Sequence, residues 1–267
     1  MLALAGRVYL LLIYIFLFLP AILVVVFSFN SSRFWAFPLR GFTTRWYEEA
    51  FARDTALEAI WNSLHVASLT TFISLFLGAS AAIGTRRLRP RVRDRLEGII
   101  MLPQLIPSLI WSIAILAFLS ALQLPSGILT VTVGHVLLTC PFVFLLISTR
   151  LMTMNSSLED AARGLGASWF YYVRRVMMPH LIPAIFSSML ITFAISFSDL
   201  IVAFFLTGGS FNTLPVYMYS LIQFEPSPMI NAIASMVFGV GVGLAVIAFI
   251  VGGREALLPG QRKGNDG

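Results

Sequence analysis

EDAARGLGASWFYYVRRVMMP, residues 159–179, interrupts a chain written mostly in Leu, Ile, Val, Phe and Ala. Three Arg, two acids and two Gly fall inside these 21 residues, with a long apolar run on either side. The lead-in Asn155-Ser156-Ser157-Leu158 supplies a start: Ser156 and Glu159, three apart, have capping-box spacing and predict a helix N-terminus. That helix runs through Asp160, Ala161 and Ala162 and ends near Gly164-Leu165-Gly166, because Gly tolerates the left-handed turn that stops a helix. Ser168 caps a second helix, Trp169 to Met178, closed by Pro179. The segment is then two short helices with a tight elbow, too short and polar to cross a bilayer. Small Ala side chains on the first helix let another backbone come close. Trp169, Phe170, Tyr172 and Val173 on the second provide packing. Such a shape suits a plug for a groove on another protein.

The surroundings of the elbow are membrane. Hydrophobic residues fill 58% of the 267 positions and charged ones 11%, against roughly 25% charge in a soluble domain. Runs of about 20 apolar residues predict six spans, at about 8–29, 61–85, 98–122, 126–149, 181–206 and 231–252. The first run is longer than a signal-peptide core and no small-x-small site follows it, so it is expected to stay attached. Arginine placement orients the bundle. Fourteen basic residues share one face: Arg7, six Arg in the 86–95 loop, Arg150, Arg163, Arg174, Arg175, Arg254, Arg262 and Lys263. The other face holds only Arg33, Arg40, Arg45 and Arg53, offset by Glu48, Glu49, Asp54, Glu58 and Glu225. The positive-inside rule then puts both termini and the elbow in the cytoplasm. Basic residues beside apolar spans are orientation signals, which excludes a nucleic-acid partner as the source of the high pI. One cysteine, Cys140, excludes an intramolecular disulfide and a Cys-based metal cluster.

The outer segments are more than turns. Residues 30–60 place Trp46, Ala50 and Phe51 on one helical face, a pattern for the membrane interface. Residues 208–230 hold a short apolar helix between Gly and Pro breakers. Pro103, Pro107, Pro141, Pro179 and Pro183 lie in or beside spans, and proline is tolerated there where protein or water re-satisfies the backbone. Gly239 and Gly243 form a GxxxG pair, a signal for close helix packing.

With these residues in view a family resemblance is plain. Asp160-Ala161-Ala162, then Gly166, Val176 and Pro179, resembles the EAA loop of permease subunits of bacterial ABC importers. Asp160 stands where Glu is usual and Met178 where Leu is usual. The likeness extends over nearly the whole chain, as one permease domain over 1–267 with a core of about 61–252 and the coupling loop at about 155–179. From about 99 to 237 the chain is similar to the second permease of spermidine/putrescine importers, through His135, Pro141, Asp199, Thr207-Gly208 and Leu214-Pro215. The resemblance implies an all-α membrane protein of the type I importer fold in a bacterial inner membrane. It implies Glu159, Asp160, Ala161, Ala162 and Gly166 as the contact to an ATP-hydrolysing subunit dimer, which binds the ATP and Mg. It also implies a second homologous permease and an external substrate-binding protein.

Asp199 is the one acid deep in an apolar run, and intramembrane charges are functional by default. It either contacts a cationic substrate or is a structural group bonded to Ser196, Ser198 or a partner helix. Tyr219 and Glu225 in the outer segment are further candidates for the substrate path. Trp111, one turn after Pro107, offers a face for an alkyl-ammonium chain or for packing. Polyamine permeases often carry acids where Ser108 and Ser198 stand here, which points as well to a less charged amine, an opine or an amino-acid derivative. His65 and His135 read as packed, hydrogen-bonded residues. No GxxxxGK[ST], HExxH, CxxC or Gly-x-Ser-x-Gly occurs, so no cofactor, metal or covalent chemistry of the chain's own is expected. A self-sufficient secondary transporter or channel would show inverted repeats and ionisable relays. An intramembrane enzyme would need paired acids or clustered His. Neither pattern is present.

Overall fold

The computed structural model describes residues 2–33, 38–209 and 211–257; Arg262 and Lys263 of the predicted basic face lie outside them, as does the side chain of Arg254. Among the described residues the structure is helical, with one isolated antiparallel bridge, Asn30 to Phe42. The chain forms two compact units, Met1–Leu57 with Met218–Gly267, and Glu58–Tyr217.

In the first unit α1 (Leu2–Ser28) lies along α12 (Met229–Leu257), and α2 (Arg45–Ala52) also packs on α12. The end of α1 and the start of α2 are locked by polar bonds. Trp46 Nε1 donates to the Asn30 carbonyl at 2.7 Å, and the Ser28 and Tyr47 hydroxyls meet at 2.7 Å. Trp46 and Ala50, four apart, share the buried face of α2, whereas Phe51 is exposed. Phe51 sits one residue past Ala50, about 100° around the helix, and so leaves the face predicted for it. A Cβ at Gly239, Gly241 or Gly243 would meet nothing within 4 Å. The GxxxG pair therefore has no close helix neighbour among the described residues.

The second unit is built on α6 (Ile128–Met152), which packs against α9 (Met178–Ser198), α10 (Ile201–Leu206), α4 (Pro90–Leu105) and α5 (Ser108–Ala121). Lipid tails are as apolar as these side chains, so the close packing of Val143, Phe144, Ile147, Met177 and Leu181 is supplemented by hydroxyl bonds between helices. Ser74 of α3 (Asp54–Thr85) bonds Thr139 of α6 at 2.8 Å. Thr71, Thr132, Thr139 and Thr149 each donate to the carbonyl four residues back, which satisfies a hydroxyl inside a helix.

Among the described residues four helices are long and apolar enough to cross a membrane: Gly6–Ser28 of α1, α3, α6 and Trp169–Ser198. The predicted third span is broken instead of continuous. Ile106 is extended because the next residue is Pro107, and α4 and α5 meet there at 98°; the pair counts as a fifth span if taken together. Gln104 of α4 donates to the Leu138 carbonyl of α6 beside this bend. The predicted fifth span, 181–206, likewise stops at Ser198, and α10 restarts after Asp199 and Leu200. The basic 86–95 stretch is a loop only to Arg89, since Pro90 opens α4. The predicted sixth span, 231–252, falls within the single helix α12, Met229–Leu257, of which not every side chain is described.

Gly78 of α3 faces α6 at close range: a Cβ would lie 2.8 Å from Val143 Cβ and 3.0 Å from the Cys140 carbonyl oxygen. Neither atom can swing aside. Gly78→Ala is expected to cost about 1–3 kcal/mol by overpacking. Gly84→Ala on the same helix enters open space and is expected to gain up to about 1 kcal/mol of helix propensity. Opposite shifts of the thermal midpoint in detergent check the pair.

Candidate functional site

The elbow begins where Asn155 Oδ1 accepts the Ser157 N–H at 2.9 Å and starts α7 (Ser156–Gly164). Asn155, rather than Ser156, is the N-cap; N3 is then Leu158, so the predicted capping box with Glu159 gives way to a simple Asn cap, and the Ser156 side chain lies outside the described residues. Gly166 has φ +74°, the left-handed turn expected of it. Ser168 Oγ then accepts the Tyr171 N–H at 3.2 Å and caps α8 (Trp169–Tyr172). Pro179 does not close this helix. A π-helical turn over Val173–Met177, with Met178 N–H bonding the Val173 carbonyl, carries the backbone into α9. A π turn loosens the ladder just where the proline removes a donor. The result is one 30-residue helical run, Trp169–Ser198.

Glu159 and Asp160 take opposite roles. The Glu159 carboxylate is turned inward, with 17% of its side chain exposed. It accepts from Arg87 at 2.9 Å and Arg163 at 2.6 Å, and Arg86 stands at 3.8 Å. Burial pushes the Glu159 pKa up, but hydrogen bonds and charge from Arg87 and then Arg163 together outweigh it and hold the carboxyl below its usual range. The stability tied to this ionised form is complete above a pH of about 4.3. It is lost only as pH falls through the lowered folded value, so the brace is intact throughout the neutral range. The Arg87 guanidinium lies 3.5 Å from the Trp169 ring centroid, a cation–π contact. Arg86 reaches the Tyr172 hydroxyl at 3.4 Å, which in turn touches Met154 Sδ at 3.8 Å. The α3–α4 loop thus braces both limbs of the elbow. Nothing in sequence spacing pairs Arg87 with residues 72 and 82 positions away; only the crowding of arginine in 86–95 hinted at it.

Asp160 and Ala161 face outward, while Ala162 is half-buried against the core that Met177 and Leu181 share. Leu165 is 88% exposed and Phe170 71%. Between the limbs runs a shallow groove lined by Leu158, Ala162, Leu165, Gly166, Tyr171 and Val176. An apolar patch on a rigid support has the character of a docking surface.

Asp199 occupies the break between α9 and α10. Its Oδ1 accepts the N–H of Val202 at 2.8 Å and of Ala203 at 3.2 Å, capping α10. His135 Nε2 stands 3.3 Å from the same oxygen, outside hydrogen-bond geometry, and its Nδ1 meets Ser196 Oγ at 2.8 Å. Among the described residues Oδ2 has no hydrogen-bond partner. The expected bond from Asp199 to Ser196 is not made: Ser196 Oγ pairs with His135 Nδ1, and Ser198 Oγ returns to the Ala194 carbonyl. Trp111 of α5 is packed beside the α5–α6–α10 core, with its Nε1 buried and unpartnered. Ser108 begins α5 and its carbonyl accepts from Ser112.

Tyr219 and Glu225 belong to the other unit. The Tyr219 hydroxyl accepts from Gln223 at 3.2 Å in α11 (Leu214–Phe224), the short apolar helix expected there. Glu225 is held bidentately by Arg53 at 2.8 and 3.0 Å, and that hydrogen bonding lowers its pKa. No group of three or more His, Cys, Asp or Glu among the described residues is arranged to hold a metal ion.

Comparison with known proteins agrees with this geometry. The spermidine/putrescine transport system permease protein PotC of Escherichia coli K12 is 29% identical over 255 residues, covering 96% of this chain and 94% of that protein. The putrescine transport system permease protein PotI of the same strain is 33% identical over 253 residues, covering 91% and 88%. A crystal structure of a bacterial ABC transporter that imports the acidic polysaccharide alginate superposes with a TM-score of 0.70, covering 94% of each chain at 17% identity, a likeness of fold alone. Residues 74–260 match the family described as the binding-protein-dependent transport system inner membrane component. The chain belongs to that family and is a permease subunit of an ABC importer rather than an enzyme.

Proposed function

We propose that this permease passes a small amine, polyamine or related in size and charge, delivered by an external binding protein. A second permease of the same family completes the path, and the 155–179 elbow docks on an ATPase dimer that holds the ATP and its Mg. The elbow and both termini face the cytoplasm, in keeping with the basic residues clustered on that face. The observation that carries the coupling half is the braced elbow: Glu159 spends its charge inside the chain, leaving Asp160 and exposed Leu165 to a partner. The substrate half is supported by the polyamine permeases to which the chain is similar and by Asp199, whose Oδ1 is used by α10 while Oδ2 is open. An opine or amino-acid derivative with one ammonium group fits the same single carboxylate.

Leu165→Asp alters an exposed side chain and leaves folding intact. It is expected to reduce ATPase co-purification and uptake by about tenfold or more, as loss of an apolar anchor does. Gly166→Arg forces a side chain into φ +74°, costs about 1–2 kcal/mol locally and is expected to abolish both. Unchanged co-purification in the two variants would remove the elbow from the interface.

Asp199→Asn keeps an oxygen for Val202 and Ala203 but removes the charge. It is expected to raise the uptake KM for putrescine about tenfold with normal protein levels. Asp199→Ala also loses the cap and about 1 kcal/mol of stability. Wild-type uptake by Asp199→Asn would make the residue structural alone.

A further inference from the structure

Arg93 of α4 has little to hold. Its Nε is buried without a hydrogen-bond partner, and Asp94 and Glu97 both stand at 3.6 Å, beyond a good N–H···O bond. It lines a cavity of about 260 Å³ between the ends of α3, α4 and α6, together with Thr85, Arg86, Glu97 and Ser148. Ser148 Oγ is a second buried polar atom without a partner. Arg86 is engaged only by long contacts, 3.4 Å to Tyr172, 3.8 Å to Met154 and 3.8 Å to Glu159. Two under-used guanidinium groups and a hydroxyl therefore converge on one space. The guanidinium groups can only donate and the Ser148 hydroxyl can donate too, so a guest rich in acceptors answers them.

We propose that this cavity seats the phosphate of an anionic phospholipid headgroup. Guanidinium forks match phosphate oxygens with paired, charge-assisted bonds. A water takes about 30 Å³ of liquid, so the volume accommodates a phosphate with part of its hydration. Between Arg86 and Glu97 six arginines face only two acids, so the local field favours an anion although Glu97 is on the lining. Free phosphate has the same chemistry, but the position favours lipid. The cavity lies where two membrane-crossing helices end, at Thr85 and Met152. That is headgroup depth, and basic pockets between span ends are where anionic headgroups bind. Val92, Leu96 and Ile99, spaced i, i+4 and i+7, are exposed beside the cavity-lining face of α4. This stripe offers an apolar track for the acyl chains.

The test is native mass spectrometry of the complete importer, exchanged into phosphatidylcholine and titrated with phosphatidylglycerol. Wild type is expected to retain phosphatidylglycerol, and Arg93→Gln to retain about fivefold less, with Arg93→Lys near wild type. Arg91→Gln removes the same charge from the same helix outside the cavity and is expected to change retention little. Equal retention by Arg93→Gln overturns the seat. Equal losses in Arg91→Gln and Arg93→Gln also overturn it, since that is diffuse attraction. Displacement of the lipid by millimolar inorganic phosphate assigns the site to the free ion and overturns the lipid. Loss of the ATPase from Arg93→Gln, with lipid retention unchanged, gives the surface to a protein partner and overturns the proposal.

Discussion

A helix broken inside hydrocarbon exposes N–H and C=O groups that no water can reach, each costing several kcal/mol if left alone. The breaks in this permease are closed by chosen side chains. Asp199 Oδ1 takes the first N–H groups of α10, and Thr130 Oγ1 donates to the Leu206 carbonyl at its last turn. Ser63 accepts the Leu214 N–H that opens α11, and Asn62 donates to the Asn212 carbonyl just before it. Gln104 answers the bend before Pro107 by donating to Leu138. These bonds allow short helices and bends in a membrane unit, and a transport path needs such irregular backbone.

The same constraint leaves room for the proposed substrate role of Asp199 beside its capping role. A carboxylate has about four acceptor sites. Two backbone N–H groups use Oδ1, with His135 nearby, while Oδ2 is open. Capping fixes where the charge sits, and a fixed charge discriminates better than a mobile one.

Coupling requires a handle that does not bend. Glu159 ties Arg87 to Arg163, Arg87 stacks on Trp169, and Arg86 reaches Tyr172. Both limbs of the elbow are therefore anchored to the end of α3. The second limb is continuous with the Trp169–Ser198 span through the π turn. With the proposed docking, a force on the elbow would reach a membrane helix and the α3–α4 corner together.

Local chemistry was readable from the chain alone. Run length and charge placement determined that it is a helical membrane protein, and Gly166, Ser168 and the acid-Ala-Ala triplet determined the elbow, because turn geometry and capping act over a few residues. The proline at 107 was visible, but the 98° bend beside it was not, since proline permits a kink whose size the neighbours set. Only the tertiary structure decided which of Glu159 and Asp160 faces outward, that Asp199 caps a helix, and that Arg93 and Ser148 share a cavity. Each of those depends on a partner far away in the chain or on which side a helix turns toward its neighbour. Distance in sequence carries no record of either, because packing alone brings such residues together.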